Sequence, residues 1–156
     1  MKGNLLKIGH INAQSLQGNM EEIELLVRER NLDVLCISET WLLPHTPDRF
    51  VHIPHFNIFR CDDGKGGGVC VYVADPISAC KVQTNFAKCP GVEDLWIQIQ
   101  VQKLPSIILG VIYRHPHALN NSFDYISDIL SHMCLSKKPL LVMGDLNDDL
   151  LVYILC

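Results

Sequence analysis

Several polar residues that can bind a metal ion or a phosphate group come directly after apolar segments of the chain. Two are carboxylates, two are amides, and the remaining pair combines a phenol with a guanidinium. Carboxylate and amide oxygens suit Mg²⁺, a hard ion that takes few protein ligands and keeps several waters. Arginine and tyrosine can donate hydrogen bonds to phosphate oxygens, so the set indicates metal-assisted phosphate chemistry. These residues are Asn12, Glu39, Tyr113, Arg114, Asp145 and Asn147.

Each of these residues also has an ordinary structural interpretation. A single asparagine after a strand and the segment Asp145-Leu146-Asn147 are common turn formers. Glu39 can be an exposed acid beside the Trp41 ring, and Tyr113 can cap a strand. The ordered set favours one shared site over separate turns, because the ends of rigid strands are where a preorganised site is best built.

The first 39 residues predict a strand, a helix and a second strand. Leu5 to Asn12 is rich in Leu and Ile, and Asp33 to Glu39 is a second apolar segment. Between them, Asn19 with Glu22 three residues later predicts an N-cap with a capping box, and Asn31 can end the helix. A crossover helix joins parallel strands, so Asn12 and Glu39 are expected at the same sheet edge, where ligands gather in α/β proteins.

The rest of the chain predicts mostly strands. Residues 56–61 and 69–74 flank the glycine-rich turn 62–68 and form a predicted hairpin, in which Gly66 to Gly68 serve the turn rather than cradle a phosphate. Further strands are predicted at residues 79–84, 95–101, 106–113 and 140–144, with a second helix capped by Asn121 or Ser122. The pattern indicates an α/β or α+β sandwich with a mixed sheet.

Composition narrows the class of protein. The 156 residues carry a net charge of −4 and a pI near 5.9, which argues against strong non-specific binding of nucleic acid but not against a metal site. The seven cysteines form no C-x-x-C pair, so a cysteine-based zinc site is not indicated. No signal peptide is found at the start of the sequence, so we expect an intracellular protein that has no membrane partner. The sequence does not distinguish the nucleus from the cytoplasm.

Five motifs follow one another along residues 5–148: H-I-N-A-Q-S-L, I-S-E-T-W, a G-G-G-V hairpin, V-I-Y-R-H-P and V-M-G-D-L-N. This ordered set of motifs resembles the endonuclease/exonuclease/phosphatase superfamily. Within that superfamily, S-E-T-W and the hairpin at residues 60–68 are most similar to the endonuclease domain of LINE-type non-LTR retrotransposons. The resemblance implies an α/β, deoxyribonuclease-like fold in which two sheets pack face to face with helices outside.

The same resemblance implies metal-dependent hydrolysis of a phosphate ester, with Mg²⁺ or Mn²⁺ as the cofactor. Glu39 would be the metal ligand, and Asn12 would help to order the metal and the phosphate. Tyr113 would contact the phosphate. Asp145 would orient or deprotonate the attacking water, and Asn147 would hydrogen-bond to the phosphate or to that water.

Other residues receive lesser roles. Arg114 is expected to assist at the phosphate. Glu93 sits where some family members place an acid near the site. His10 is interpreted as a structural residue within a strand, whereas His115 and His117 are interpreted as surface residues of a loop rather than as ligands.

The family's terminal S-D-H motif has no match in this sequence. We therefore expect a partial domain at residues 5–148, incomplete at its C-terminus, an unrelated tail at residues 149–156, and weak or absent activity of this chain. DNA is the expected substrate, and a reverse-transcriptase domain would follow in the parent element. Two alternatives stay open: a phosphatase or sphingomyelinase-like member of the same fold, and a non-catalytic remnant that binds a partner or DNA.

Overall fold

Two four-stranded β-sheets and two α-helices make up the part of the chain that the computed structural model describes, residues 5–64, 66–100 and 104–148. Short 3₁₀ turns occur at Gln17–Asn19 and Asp48–Phe50. In chain order the elements are β1 (Ile8–Asn12), α1 (Met20–Arg30), β2 (Val34–Ser38), β3 (Phe56–Cys61), β4 (Val69–Ala74), β5 (Ser78–Lys81), β6 (Val92–Gln100), β7 (Ile107–Arg114), α2 (Ser122–Cys134) and β8 (Leu140–Asp145).

The first sheet has the strand order β1-β2-β4-β3 and contains the predicted strand–helix–strand unit. Strands β1 and β2 are parallel, with Asn12 opposite Ser38 at their carboxyl ends. All five residues of β2 are buried, which explains why V-L-C-I-S shows no alternation of polar and apolar residues. The predicted hairpin is confirmed, since Cys61 of β3 pairs antiparallel with Val69 of β4.

The ends of α1 agree with the prediction in position but not in the N-terminal contact. Asn31 ends the helix in the left-handed conformation, with φ of 49°. Asn19 occupies the N-cap position, yet its side chain makes no capping hydrogen bond, so the predicted capping box is wrong. Its amide nitrogen instead donates to the backbone oxygens of Ala13 and Ser15, both at 2.9 Å, and thereby holds the loop that follows β1.

The second sheet has the strand order β5-β6-β7-β8 and, like the first sheet, contains a strand–helix–strand unit. Strands β7 and β8 are parallel and are joined through α2, with Tyr113 opposite Asp145. Each sheet therefore contributes one pair of parallel strands, and Asn12 and Asp145 occupy equivalent positions as the last residues of β1 and β8. Polar residues of the two sheets can therefore meet at the carboxyl ends of these parallel strands.

The two sheets pack face to face over an apolar core that includes Val34 and Val71 of one sheet and Leu109 and Val111 of the other. Helices α1 and α2 cover the outer faces, each with its own apolar cluster. The predicted two-sheet sandwich flanked by helices is thus confirmed. In the outer cluster under α2, the Trp96 ring of β6 lies over Gly110 of β7, where an added Cβ would be 2.2 Å from the ring.

None of the helices in the described ranges is long and apolar enough to cross a membrane. The predicted tail at residues 149–156 lies outside the described residues.

Candidate active site

Three of the predicted residues meet at the edge where the parallel strands of both sheets end. The side-chain nitrogen of Asn12, the last residue of β1, donates to Glu39 Oε1 at 2.7 Å. The same nitrogen donates to Asp145 Oδ2, at the end of β8, at 3.0 Å. One amide from the first sheet therefore contacts a carboxylate of each sheet, at a position that is partly open to solvent.

The backbone around Glu39 is held by the glycine-rich hairpin. Glu39 itself has φ of 54°, a left-handed conformation that costs a non-glycine residue about 1 kcal/mol or more. The two residues that follow it are fixed by hydrogen bonds from Thr40 N to Gly68 O at 3.2 Å and from Trp41 N to Gly67 O at 2.9 Å. The S-E-T-W and G-G-G segments are thus one structural unit, which aims the Glu39 carboxylate at the sheet edge.

Asn147 and Tyr113 complete the cluster. The backbone N–H of Asn147 donates to Asp145 Oδ1 at 2.9 Å, so both oxygens of that carboxylate are hydrogen-bonded. Tyr113 is 3% exposed and lies beside the side chains of Glu39 and Asn147. Burial, together with the Glu39 carboxylate, raises the pKa of Tyr113 to about 12, which keeps its hydroxyl protonated as a hydrogen-bond donor.

Arg114 is the one predicted residue that the structure does not bring to the cluster. Its buried guanidinium donates to Ser122 Oγ at 2.7 Å and to the backbone oxygens of Ala118 at 3.0 Å and Leu146 at 3.4 Å. It also stacks over the Phe123 ring, 4.3 Å from the ring centre. Arg114 therefore anchors the start of α2 and the turn after β8, and so positions the residues around Asp145.

The sequence interpretation of the histidines is correct in one place and wrong in another. His10 lies within β1, and its Nε2 is 3.2 Å from Ser38 Oγ, as expected of a structural residue. His117 is exposed. His115, predicted to be a surface residue, is instead half-buried, with Nε2 2.9 Å from Glu93 Oε1.

Glu93 lies inside a strand rather than before one, because β6 begins at Val92, three residues earlier than predicted. The side chains of Glu93 and His115 meet next to the Tyr113 ring, whose centre is 4.9 Å from that of His115. Only the three-dimensional pairing of β6 with β7 reveals this second cluster, since Glu93 and Tyr113 are direct cross-strand partners.

The geometry of the cluster around Asn12, Glu39 and Asp145 limits the chemistry that it can perform. The carboxylates of Glu39 and Asp145 share a neutral donor, and within the described ranges no ion pair links either of them to a cationic side chain. Two acids, two amides and a protonated phenol at a solvent-accessible sheet edge can bind a cation and present hydrogen bonds to a polar ligand. No buried base or nucleophile of another type is hydrogen-bonded to this cluster in the described residues.

A comparison with family models matches residues 8–151 of the 156-residue chain to one family. The chain belongs to the endonuclease/exonuclease/phosphatase family. The match includes every residue of the cluster, from Asn12 to Asn147. A comparison with curated protein sequences gives no match.

Solved structures share this family's fold with the chain. The human Nocturnin catalytic domain, solved with a bound sulfate anion, is 13% identical, with a TM-score of 0.61 over 92% of this chain and 64% of its own. An AP endonuclease from Archaeoglobus fulgidus is 16% identical, with a TM-score of 0.59 and coverages of 92% and 58%. A mannosyl-6-phosphatase from Bacteroides thetaiotaomicron is 13% identical, with a TM-score of 0.69 and coverages of 94% and 67%.

These likenesses establish the fold and leave the substrate of this chain open. The chain spans less than two thirds of the length of the Nocturnin and AP endonuclease structures. One of these structures is described as an endonuclease and another as a phosphatase, so the fold alone does not distinguish a nuclease from a phosphatase.

Proposed function

We propose that this endonuclease/exonuclease/phosphatase-family chain is a divalent-metal-dependent phosphodiesterase-type domain that derives from the DNA-nicking endonuclease of a LINE-type non-LTR retrotransposon. The observation that carries the proposal is the contact of the Asn12 amide with carboxylates from both sheets, Glu39 and Asp145. It joins two acids at one solvent-accessible point, where a metal ion and a phosphate diester can both reach them. The retrotransposon kinship rests on the S-E-T-W and Y-R-H-P segments.

The donor set fits a hard divalent cation, Mg²⁺ or Mn²⁺. Two carboxylates face one neutral amide, so a cation placed between them would offset a repulsion that the amide relieves only in part. Glu39 and the side-chain oxygen of Asn12 would hold the ion. In the part of the chain that the structure describes, that oxygen accepts one hydrogen bond, from Gln14 N at 3.2 Å, which a bound ion can replace. When bound, the ion neutralises charge on the phosphate oxygens and on the leaving group.

The remaining residues act on the water and the phosphate. The backbone N–H of Asn147 orients the Asp145 carboxylate by donating to its Oδ1. The Oδ2 atom, which accepts a hydrogen bond from the Asn12 amide in this structure, can then accept a proton from the attacking water. Tyr113 stays protonated at neutral pH and donates to a phosphate oxygen. Asn147 uses one N–H on the backbone oxygen of Arg114 at 2.7 Å and lies within hydrogen-bonding reach of the Tyr113 hydroxyl. Its second N–H can turn from Tyr113 to the phosphate, and its oxygen can accept a hydrogen bond from the water.

The rate of this 156-residue chain is expected to be low. The sequence contains no S-D-H triplet, the segment in which the family places a histidine at the phosphate. Within the described residues no histidine is hydrogen-bonded to Glu39 or Asp145. Loss of a catalytic group that acts together with its neighbours lowers rates by orders of magnitude.

The test is the nicking of supercoiled plasmid DNA by purified chain in molar excess, in Mg²⁺ and in EDTA. Nicking is a suitable assay because a single cut converts a whole plasmid to the open circle. Glu39→Gln and Asp145→Asn remove one charge each with little change in shape, and His117→Gln is the matched control on an exposed residue. We expect slow nicking that requires Mg²⁺, is lost in both carboxylate variants and is unchanged in the control.

Other outcomes would favour the alternatives. Nicking that survives both carboxylate substitutions, or that proceeds equally in EDTA, would contradict the proposal. If the folded chain hydrolyses a phosphate monoester but does not nick DNA, it belongs with the phosphatases of the family. If it does neither but retains a folded structure, a non-catalytic binding domain becomes the better description. A reverse-transcriptase frame downstream of the coding sequence would support the retrotransposon origin.

A further inference from the structure

A second group of ligand-type side chains lies outside the site described above. Asp63 in the β3–β4 hairpin, Glu93 in β6 and His115 after β7 place one ligand atom each within 4.8 Å of one another. They border a cavity of about 100 Å³ that also contacts Cys61 and Lys88. We propose that Asp63, Glu93 and His115 form a binding site for a divalent transition-metal ion, separate from the Asn12–Glu39–Asp145 cluster.

The strongest indication is a buried oxygen that accepts no hydrogen bond of normal geometry. The Glu93 side chain is 9% exposed, and its Oε1 pairs with His115. Its other oxygen, Oε2, is fully buried and accepts no hydrogen bond of normal geometry in the described residues, although the backbone N–H of Gly68 lies close to the carboxylate. A carboxylate oxygen that is buried and unsatisfied costs free energy, and an unoccupied ion position is one of the explanations such an atom calls for.

Gly67 keeps the space in front of that oxygen open. A Cβ on Gly67 would lie 2.7 Å from Glu93 Oε2 and 2.8 Å from His115 Nε2, so both atoms face the same point. A side chain at this position would fill the gap between the two ligand atoms. The glycine therefore provides room for a small ion next to an imidazole nitrogen and a carboxylate oxygen.

The spacing suits two ligands of one ion. Glu93 Oε1 and His115 Nε2 are 2.9 Å apart, within hydrogen-bonding distance. Two ligands at about 2.0–2.1 Å in the tetrahedral geometry of Zn²⁺ are about 3.3 Å apart, so these two atoms need to separate by only a few tenths of an ångström to bind one ion. Asp63 is exposed on a glycine-rich loop, and its carboxylate accepts no hydrogen bond within the described ranges, so it is able to move inward.

The donor chemistry distinguishes this site from the first. Two carboxylates and one neutral imidazole balance the charge of a divalent ion. Imidazole suits Zn²⁺ and its neighbours, whereas carboxylates and amides without imidazole suit Mg²⁺. The ligands come from both sheets, so a bound ion would tie the hairpin of β3 and β4 to β6 and β7. Since Gly67 and Gly68 of that hairpin hold Thr40 and Trp41, the ion would also stabilise the segment that contains Glu39.

The test is a titration of the purified, metal-stripped 156-residue chain with Co²⁺, followed by visible absorption, in an excess of Mg²⁺. The Mg²⁺ occupies the hard-ligand cluster, and Zn²⁺ is then added to displace Co²⁺. We expect saturable binding of one Co²⁺ that Zn²⁺ reverses. Asp63→Asn and His115→Gln should each weaken it at least about 10-fold, since even the loss of an outer partner of a ligand costs that much.

The controls separate this site from the active site and from misfolding. Asp63→Asn is decisive, because the residue is exposed and its replacement is not expected to disturb folding, which circular dichroism checks. Asp128→Asn, on the exposed face of α2, is the matched control, and Glu39→Gln should leave Co²⁺ binding unchanged. The proposal is overturned if the wild-type chain binds no Co²⁺ under these conditions, or if Asp63→Asn binds it as tightly. A strong near-ultraviolet thiolate band would place the ion on cysteines and would also overturn it.

Discussion

The contact at the centre of the active site can be tested by adding a charge to it. Asn12→Asp keeps the shape of the side chain but replaces the nitrogen that donates to Glu39 at 2.7 Å and to Asp145 at 3.0 Å. Three carboxylates would then share a point that now holds two and a donor. We expect the variant to be less stable without a divalent cation and to regain much of the loss when Mg²⁺ is present.

The size of the effect follows from the distances. Two unit charges in the dielectric of water repel each other by about 1.5 kcal/mol at 2.7 Å and by about 1.4 kcal/mol at 3.0 Å. The water value is the appropriate one because Asn12 is exposed. Side-chain rotation relieves part of this, so we expect a loss of roughly 2–3 kcal/mol in the free energy of unfolding. For a chain of this length that corresponds to a fall in Tm of roughly 5–10 °C.

The assay is thermal unfolding followed by circular dichroism, in EDTA and in Mg²⁺, for Asn12→Asp, Asn12→Ala and the wild type. The alanine variant loses the hydrogen bonds without adding a charge, at a cost of about 1 kcal/mol. Asn12→Asp should therefore melt below Asn12→Ala in EDTA, gain more from Mg²⁺ than the wild type, and recover partly in high salt. Equal melting temperatures of the two variants in EDTA would mean that Glu39 and Asp145 do not converge on residue 12 in solution.

Two further predictions concern the interior. Gly110→Ala places a Cβ 2.2 Å from the Trp96 ring and should lower the free energy of unfolding, measured in urea, by about 1–3 kcal/mol or more; an unchanged midpoint would mean that the ring does not cover the glycine. Burial raises the pKa of Cys36 from 9.0 to about 12, so its thiol stays neutral in the folded chain while the unfolded chain ionises. Stability should accordingly fall between pH 9 and pH 12, and Cys36→Ala should reduce that slope by about 1.4 kcal/mol per pH unit.

The sequence predicted those parts of the fold that depend on local pattern. Fully apolar strands such as Val34–Ser38, separated by a helix of crossover length, allow parallel pairing to be inferred. Parallel pairing in turn places Asn12 near Glu39. That these two would meet Asp145 of the other sheet was predicted from the shared pattern of polar strand ends and from family resemblance. The sequence at one strand end does not show how the two sheets pack on each other.

The errors come from contacts between distant segments. Glu93 and His115 are both polar residues beside a loop, and nothing local shows that β6 extends back to Val92 and pairs them. Arg114 was expected to assist at the phosphate because arginine suits phosphate; in the structure its guanidinium contacts Ser122 and the backbone of the following loop, and its role at the phosphate stays a prediction. Asn19 has the sequence of a cap, yet the backbone oxygens of the loop after β1 compete successfully for its amide.

The bond between Asn12 and Asp145 also has a consequence for how the chain reaches its native state. These residues are 133 positions apart, so their contact closes a loop that includes most of the chain. Contacts between residues that are far apart in sequence form late, because the loss of chain entropy in closing the loop is offset by packing only once both sheets are present. Because the Asp145 carboxylate adds its charge to the two ligands Asn12 and Glu39, full affinity for the cation should appear only in the last step of refolding, when the two sheets dock.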